Sequence, residues 1–181
     1  MKKLSIYISY LLRHHPEDKN LDMDIHGWVN TNDLLQALHI DFDTLHQIVL
    51  TDSKQRYKFN EDYSKIKACQ GHSIPGIIPE LTYKEVPEFL YHGTTQEALD
   101  LIYKSGHIDK MKRHAVHMQQ DMNKAMQSAM RWKNKTPIIL KIDARKMIED
   151  GYRIGVSDNG VWCTETVPVQ YIQDKIKVRL P

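Results

Sequence analysis

Arginine is the side chain best shaped to hold a phosphate, because its planar guanidinium donates two parallel hydrogen bonds and stays charged. A neighbouring histidine can hold the same phosphate when protonated, or move a proton near neutral pH. The chain offers these types at Leu11-Leu12-Arg13-His14-His15-Pro16, at Lys54-Gln55-Arg56-Tyr57 and at Arg113-His114-Ala115-Val116-His117. An Arg-His pair at a helix end, joined in space by two more arginines, would make a compact pocket for a phosphate dianion. Two further patterns are Gln70-Gly71-His72-Ser73 and Tyr91-His92-Gly93-Thr94. In the second, Gly93 would let a ligand approach the backbone after a strand, and Thr94 would cap the following helix while facing that ligand. Taken singly, each pattern has a bland account: a solvated arginine, or a strand–turn–cap without function. His15, His26, His39, His46 and His107 lack supporting context and read as surface or packing residues. The order and spacing of the whole set are what point to phosphate chemistry.

The elements that must position these groups follow from periodicity. Apolar residues return at Leu4, Ile8, Leu11 and Leu12, a helical rhythm that Pro16 stops, so Arg13-His14-His15 falls in its last turn or just beyond. Ile25-His26-Gly27-Trp28-Val29 reads as a turn and a short strand, and Thr31-Asn32-Asp33 as the cap of a helix through Leu38. A further helix is expected over Asp43–Leu50. Arg56–Phe59 and Ile66–Cys69 alternate like the strands of a hairpin. Helices followed by a two-stranded wing describe a winged-helix lobe over residues 1–75. The Pro-rich stretch 76–87 reads as a linker. Residues 88–181 then carry short strands at Phe89–His92, Ala115–Met118, Pro137–Ile142, Arg153–Val156, Val161–Thr164 and Ile176–Leu180. Helices are expected at Gln96–Lys104 and Asp121–Lys133. The fold class is therefore α+β, two lobes with a cleft between them. No parallel βαβ series and no Gly-x-Gly-x-x-Gly fingerprint occur, which disfavours a Rossmann site.

Composition limits the rest. The 181 residues suffice for one ordinary core or two small lobes, and a 41% hydrophobic content suits a globular protein. Lys and Arg total 25 against 23 acidic residues, a net charge of +2, so any nucleic-acid partner must be met by local positive charge rather than a polycationic surface. The start, Met1-Lys2-Lys3-Leu4, leads into Ser and Tyr rather than an apolar core, so neither a signal peptide nor a membrane span is expected, and the location expected is the cytoplasm. Two cysteines, Cys69 and Cys163, read as reduced thiols. A zinc site from Cys69, His72, His117 and Cys163 ranks below that reading, because no second compact ligand pair completes it. No unpartnered apolar face is evident, so a monomer is expected.

In sequence the chain resembles the KptA-type RNA 2′-phosphotransferases. The likeness runs through Leu11–Pro16, Gly27-Trp28, Lys54–Tyr57, Gln70–Ser73, Tyr91–Thr94, Arg113–His117 and Ser157-Asp158-Asn159-Gly160-Val161-Trp162. The resemblance implies a winged-helix lobe joined to a lobe of ADP-ribosyltransferase fold. It implies an Arg-His-Arg-Arg catalytic group at Arg13, His14, Arg56 and Arg113, and an NAD⁺ site that includes His92, Gly93, Thr94 and His117. His72 and Ser73 are candidate substrate-binding residues. After Val116-His117 the family's usual Leu-Ser is replaced by Met118-Gln119, so a hydroxyl facing NAD⁺ is either absent or supplied by another residue. The implied partners are NAD⁺, consumed as a co-substrate, and RNA carrying an internal 2′-phosphate, with no metal. In the implied reaction the RNA 2′-phosphate attacks C1″ of the nicotinamide ribose and nicotinamide leaves. The 2″-hydroxyl then attacks the bridging phosphate, giving 2′-hydroxyl RNA and ADP-ribose 1″,2″-cyclic phosphate. Lys54, Lys58, Lys65 and Lys67 are candidates for flanking RNA phosphates or are solvated strand charges. Two other readings remain: an ADP-ribosyltransferase acting on terminal phosphates of nucleic acid, and a non-catalytic winged-helix binding module.

Overall fold

The computed structural model describes residues 1–178. The first helix, α1 (Lys2–Arg13), buries Ile8, Leu11 and Leu12 and ends two residues before a 3₁₀ turn at Pro16–Lys19. Pro16 cannot continue the helical hydrogen bonding, so Arg13 is the last helical residue and His14 its cap. Strand β1 (Val29–Asn30) leads directly into α2 (Thr31–Leu38). The cap of α2 is Asn30, whose side chain accepts from the Asp33 amide, while Thr31 is already helical and buried; the cap expected at Thr31–Asp33 thus lies one residue earlier. Helix α3 (Phe42–Thr51) is capped by Asp41. Strands β2 (Tyr57–Phe59) and β3 (Lys65–Ala68) form the expected hairpin, and β1 joins it to give an antiparallel sheet in the order β1-β3-β2.

The second set of elements begins with β4 (Phe89–Thr95) and α4 (Gln96–Ser105). Thr95 rather than Thr94 caps α4, its hydroxyl accepting from the Ala98 amide, and Thr94 is a buried strand residue. Then come β5 (His107–Asp109), β6 (Val116–Met118), α5 (Met122–Met130), β7 (Pro137–Asp143), α6 (Ala144–Glu149), β8 (Ile154–Val156), β9 (Trp162–Thr164), β10 (Thr166–Pro168) and β11 (Ile172–Lys177). The expected strand at Ile176–Leu180 is met by the end of β11, with Arg179 and Leu180 outside the described residues. Strand β7 is central in β11-β7-β4, and its near-continuous burial explains its unbroken apolar run. An isolated bridge between Tyr91 and Gln119 connects this sheet to β6-β9-β8, and β5 pairs with β10. Every strand pair among the described residues is antiparallel.

The chain forms two compact units, each closed by its own apolar cluster. Among the described residues the first comprises 1–80, 112–114 and 157–159, and the second 81–111, 115–156 and 160–178. In the first, Ile8, Leu11 and Leu12 of α1 pack with Leu34, Leu45, Ile48 and Ile66. In the second, Leu90, Leu140, Ile142, Met118 and Trp162 form the centre. Two short excursions of the late chain belong to the first unit. The 157–159 excursion is anchored electrostatically: Asp158 accepts from Lys58 at 3.0 Å and from Lys67 at 3.0 Å. Lys67 is 1% exposed, also pairs with Glu80, and lies 4.6 Å from the Trp28 ring centre. It therefore serves the interior and cannot reach a flanking RNA phosphate.

No helix among the described residues is long and apolar enough to cross a membrane.

Candidate active site

All three arginines singled out in the sequence, and His14, belong to the first unit. Burial of Ile8, Leu11 and Leu12 fixes α1 along its length, which sets Arg13 and His14 at its end. Arg56 follows a turn in which Gln55 adopts φ 47°, and the Asp52 carboxylate holds it twice. The Arg56 amide donates at 2.6 Å and its guanidinium at 2.5 Å. Asp52 itself is almost completely covered, so Arg56 is held in one orientation.

The Gln70–Ser73 segment organises the rest. The carbonyl oxygen of Gly71, a residue at φ +87°, accepts a hydrogen bond from the Arg113 guanidinium. A methyl group at Gly71 would lie 3.3 Å from the Arg113 guanidinium and 3.5 Å from that of Arg13, so both side chains flank this glycine. The Ser73 amide donates to the Arg13 carbonyl at 2.9 Å, and the Ser73 hydroxyl lies 2.6 Å from His14 Nδ1. His72 is 1% exposed, with its Nε2 face against Gly27. Neither of its ring nitrogens has a hydrogen-bond partner among the described residues, and the same holds for Arg13 Nε, Gln70 Oε1 and His114 Nε2.

The electrostatics follow from this crowding. Burial lowers the pKa of Arg13, and the charges of Arg56 and Arg113 lower it further. His14 is lowered by burial and then by Arg113 and Arg13. Burial pushes His72 down to about 4, so it is neutral at physiological pH. Arg13, Arg56 and Arg113 thus gather beside imidazoles whose neutral form burial favours, and the Asp52 carboxylate is taken by Arg56.

His92, Gly93, Thr94 and His117 lie in the second unit. His92 Nδ1 is 2.7 Å from the His117 carbonyl oxygen, so it must carry the proton and donate. Its pKa is lowered by burial, which leaves Nε2 an unprotonated acceptor. Gly93 has a different reason for being glycine from the one its motif suggests. A Cβ there would lie 2.1 Å from the Ala125 carbonyl oxygen and 2.8 Å from the Ala129 amide nitrogen, so its open face is filled by the backbone of α5. Met118 is wholly buried, and the Gln119 backbone bridges to Tyr91.

Cys69 and Cys163 are buried free thiols whose pKa values burial raises to about 11 and about 12, which disfavours thiolate ligands. Among the described residues the only group of His, Cys, Asp and Glu near enough to share an ion is the exposed set His15, Glu17 and Asp18. Sequence patterns gave no signal for Asp52 as the anchor of Arg56, because nothing local distinguishes it from any other helix-terminal acid.

Comparison with known proteins adds the following. The family model described as RNA 2′-phosphotransferase, Tpt1 / KptA family, matches residues 1–166. A probable RNA 2′-phosphotransferase of Fusobacterium nucleatum is 44% identical over 178 residues, covering 94% of this chain and 97% of its own. Proteins of the same description from Rhizobium leguminosarum and Burkholderia lata are 40% and 37% identical; they cover 94% and 95% of this chain and 92% and 90% of their own. Among solved structures, a Caulobacter crescentus protein aligns with 51% of this chain and 88% of its own at 13% identity and a TM-score of 0.40, too distant to bear on the fold. With a family match over most of its length and relatives this similar, the chain belongs to the Tpt1 / KptA family of RNA 2′-phosphotransferases and is a transferase.

Proposed function

We propose that this protein is an NAD⁺-dependent RNA 2′-phosphotransferase. It moves an internal RNA 2′-phosphate to NAD⁺, giving 2′-hydroxyl RNA, ADP-ribose 1″,2″-cyclic phosphate and nicotinamide. The observation that carries the reading is the gathering of Arg13, Arg56 and Arg113 beside His14, with the Asp52 carboxylate committed to Arg56. Buried like charges destabilise one another unless an anion joins them, and a phosphate dianion is the anion that three guanidiniums suit. Arg13 and Arg113, either side of Gly71, hold the phosphoryl oxygens. Their stabilisation is greatest when negative charge builds there as the phosphate is passed on. His14, neutral at rest, contacts the phosphate or accepts a proton through Nε2, since Nδ1 is engaged by Ser73.

The second unit fits a nucleotide co-substrate through its donor set. His92 offers an imidazole locked in one tautomer, a good acceptor for a ribose hydroxyl, and Arg131 is close enough to depress its pKa and to meet a pyrophosphate. His117 and Thr94 complete the proposed site. The face of Gly93 turned to α5 is closed, so any approach of ligand to that strand uses the other side. In fold terms the two units correspond in this reading to a winged-helix lobe and an ADP-ribosyltransferase-like lobe. The protein works as a monomer in the cytoplasm on RNA whose 2′-phosphate is exposed in a single-stranded or splayed nucleotide.

Incubating the protein with a short RNA carrying one internal 2′-phosphate, with and without NAD⁺, tests the reading. Conversion to 2′-hydroxyl RNA and cyclic phosphate only with NAD⁺ is the expected outcome, and a loss of about a thousandfold in turnover is expected for Arg13→Ala. A stable ADP-ribosylated RNA as sole product would replace it with the transferase reading. No reaction from folded protein would leave the binding module.

A further inference from the structure

Three residues of the late chain, Ser157, Asp158 and Asn159, belong to the first unit, and phosphate binding by the arginines gives them no part. Where they attach is specific. Strands β2 and β3 pair with Lys58 directly opposite Lys67, and Arg56 and Cys69 extend the ladder, the Cys69 amide donating to the Arg56 carbonyl at 2.7 Å. Alternation puts Tyr57, Phe59, Ile66 and Ala68 on the face toward the core, and Arg56, Lys58, Lys67 and Cys69 on the other. Two lysines directly opposite on one face of a strand pair repel. Here the Asp158 carboxylate lies 3.0 Å from each ammonium. Glu80 also takes the Lys67 ammonium, and the Trp28 ring covers it. With Lys67 1% exposed, little water is at hand to screen the two lysines if Asp158 is lost.

Asn159 holds the turn that precedes Arg56. The Ser157 hydroxyl donates to Asn159 Oδ1 at 2.6 Å, which aims the amide nitrogen the other way, and that nitrogen donates to the Lys54 carbonyl at 3.5 Å. Gln55, between Lys54 and Arg56, is the residue in the left-handed region. On the other strand the same end of the hairpin continues from Cys69 to Gly71, whose carbonyl accepts from Arg113. One short segment thus fastens a hairpin end from which Arg56 and the Gly71 contact of Arg113 both emerge. Asp52 orients the Arg56 side chain, whereas Asp158 and Asn159 hold the strand that carries it.

We propose that Asp158 and Asn159 are positioning residues for the phosphate site, acting through the hairpin end that carries Arg56 and not by touching RNA. A carboxylate committed to two lysines repels a phosphate and does not bind one, so its service to the site is indirect. Misplacing a phosphate-holding guanidinium by a fraction of an ångström weakens every bond it makes in the transition state. The proposal rests on the phosphotransferase reading only for what Arg56 holds.

The test takes Asp158→Asn, which keeps the shape and removes the charge, alone and combined with Arg56→Ala. In single-turnover assays on 2′-phosphorylated RNA, Asp158→Asn should lose about tenfold in rate with KM for NAD⁺ unchanged. In the Arg56→Ala background it should lose almost nothing further, because the group it positions is gone. Asp158→Glu keeps the charge and should recover most of the loss. Amide hydrogen exchange supplies a readout that needs no turnover: relative to the Ile48 amide in α3, the Cys69 amide should exchange about tenfold faster in Asp158→Asn. A merely stabilising role would speed both amides together and lower the rate in either background. Additive losses, or a Cys69 amide that keeps its rate relative to Ile48, overturn the positioning role. A wild-type protein without turnover whose Cys69 exchange still answers to Asp158 would keep the hairpin clamp and sink the phosphotransferase reading. Turnover that ignores Asp158 would do the reverse.

Discussion

The two units bury different things. The second closes on hydrocarbon: Leu90, Leu140, Ile142, Ala144, Met147 and Val167 make its centre, and its buried polar residues are threonines at strand positions. The first buries a lysine and a histidine to 1% exposure, crowds three arginines, and leaves polar atoms of Arg13, Gln70, His72 and His114 without hydrogen bonds among the described residues. Each such group costs stability unless something compensates it. Lys67 is compensated, because Asp158 and Glu80 neutralise it. Arg56 is likewise held by Asp52, whereas Arg13 Nε, both ring nitrogens of His72 and His114 Nε2 have no hydrogen-bond partner among the described residues. A fold keeps such an arrangement where a ligand completes it, so under the proposed function the phosphate chemistry falls to the first unit and co-substrate binding to the more hydrocarbon-rich second.

Two glycines, each beside a histidine in a short motif, give the sharpest way to break that contrast. Gly93→Ala places a methyl 2.1 Å from the α5 backbone, which no side-chain movement can relieve. The expected result is a loss of about 3 kcal/mol or more, read by denaturant unfolding. Gly71→Ala meets guanidiniums at 3.3 to 3.5 Å, which can give way, and carries a left-handed strain of about 1–2 kcal/mol. It should cost less stability than Gly93→Ala and far more turnover per unit of stability lost, because Arg13 and Arg113 are what move. If both variants lost stability alike and Gly71→Ala retained full turnover, the division of roles between the two units would fail.

Those glycines also mark what the sequence could and could not convey. Helix ends and the apolar run of β7 are legible because period and proline act locally, and so is the placing of Arg13 and His14 at the end of α1. Elements stay hidden in the sequence where pairing is distant or short. Strands β5 and β10 are three residues each and exist because they pair with each other across 57 to 61 positions. Helix α6 is six residues, started by the Asp143 cap. At the candidate site the residue types are visible in short motifs, but their partners are not. Nothing near Gly93 announces α5, nothing near Lys67 announces Asp158, and the contact of His14 with Ser73 spans 59 residues. Such contacts carry no local period, so only the folded chain reveals them.

A second break uses pH. His72 is neutral in the folded protein with a pKa of about 4, against about 6.5 for a free imidazole. The unfolded chain therefore takes up a proton first as pH falls. Stability from this group is fully present above pH 6.5 and is lost between about 6.5 and 4. The gap corresponds to about 3 kcal/mol. Urea midpoints measured from pH 7.5 to 4.5 should fall more steeply for wild type than for His72→Phe, which keeps a flat ring and cannot ionise. Parallel slopes would mean that His72 is solvated, contrary to its burial.

The smallest expected effect tests how finely the first unit is arranged. Ser73 touches His14 Nδ1 at 2.6 Å while its amide holds the Arg13 carbonyl, so Ser73→Ala removes the first contact and keeps the second. If Ser73 positions His14, turnover should fall about tenfold with KM unchanged, and Ser73→Thr should recover most of it. The pH profile then tells which atom donates. A Ser73 oxygen that accepts from Nδ1 favours the imidazolium, so its removal moves the acid limb to lower pH. A hydroxyl that donates to Nδ1 favours the neutral ring, and its removal moves that limb up. Turnover unaffected by Ser73→Ala, or not recovered by Thr, would show that the 2.6 Å contact does not govern His14, and the placement of that ring would then fall to the end of α1 alone.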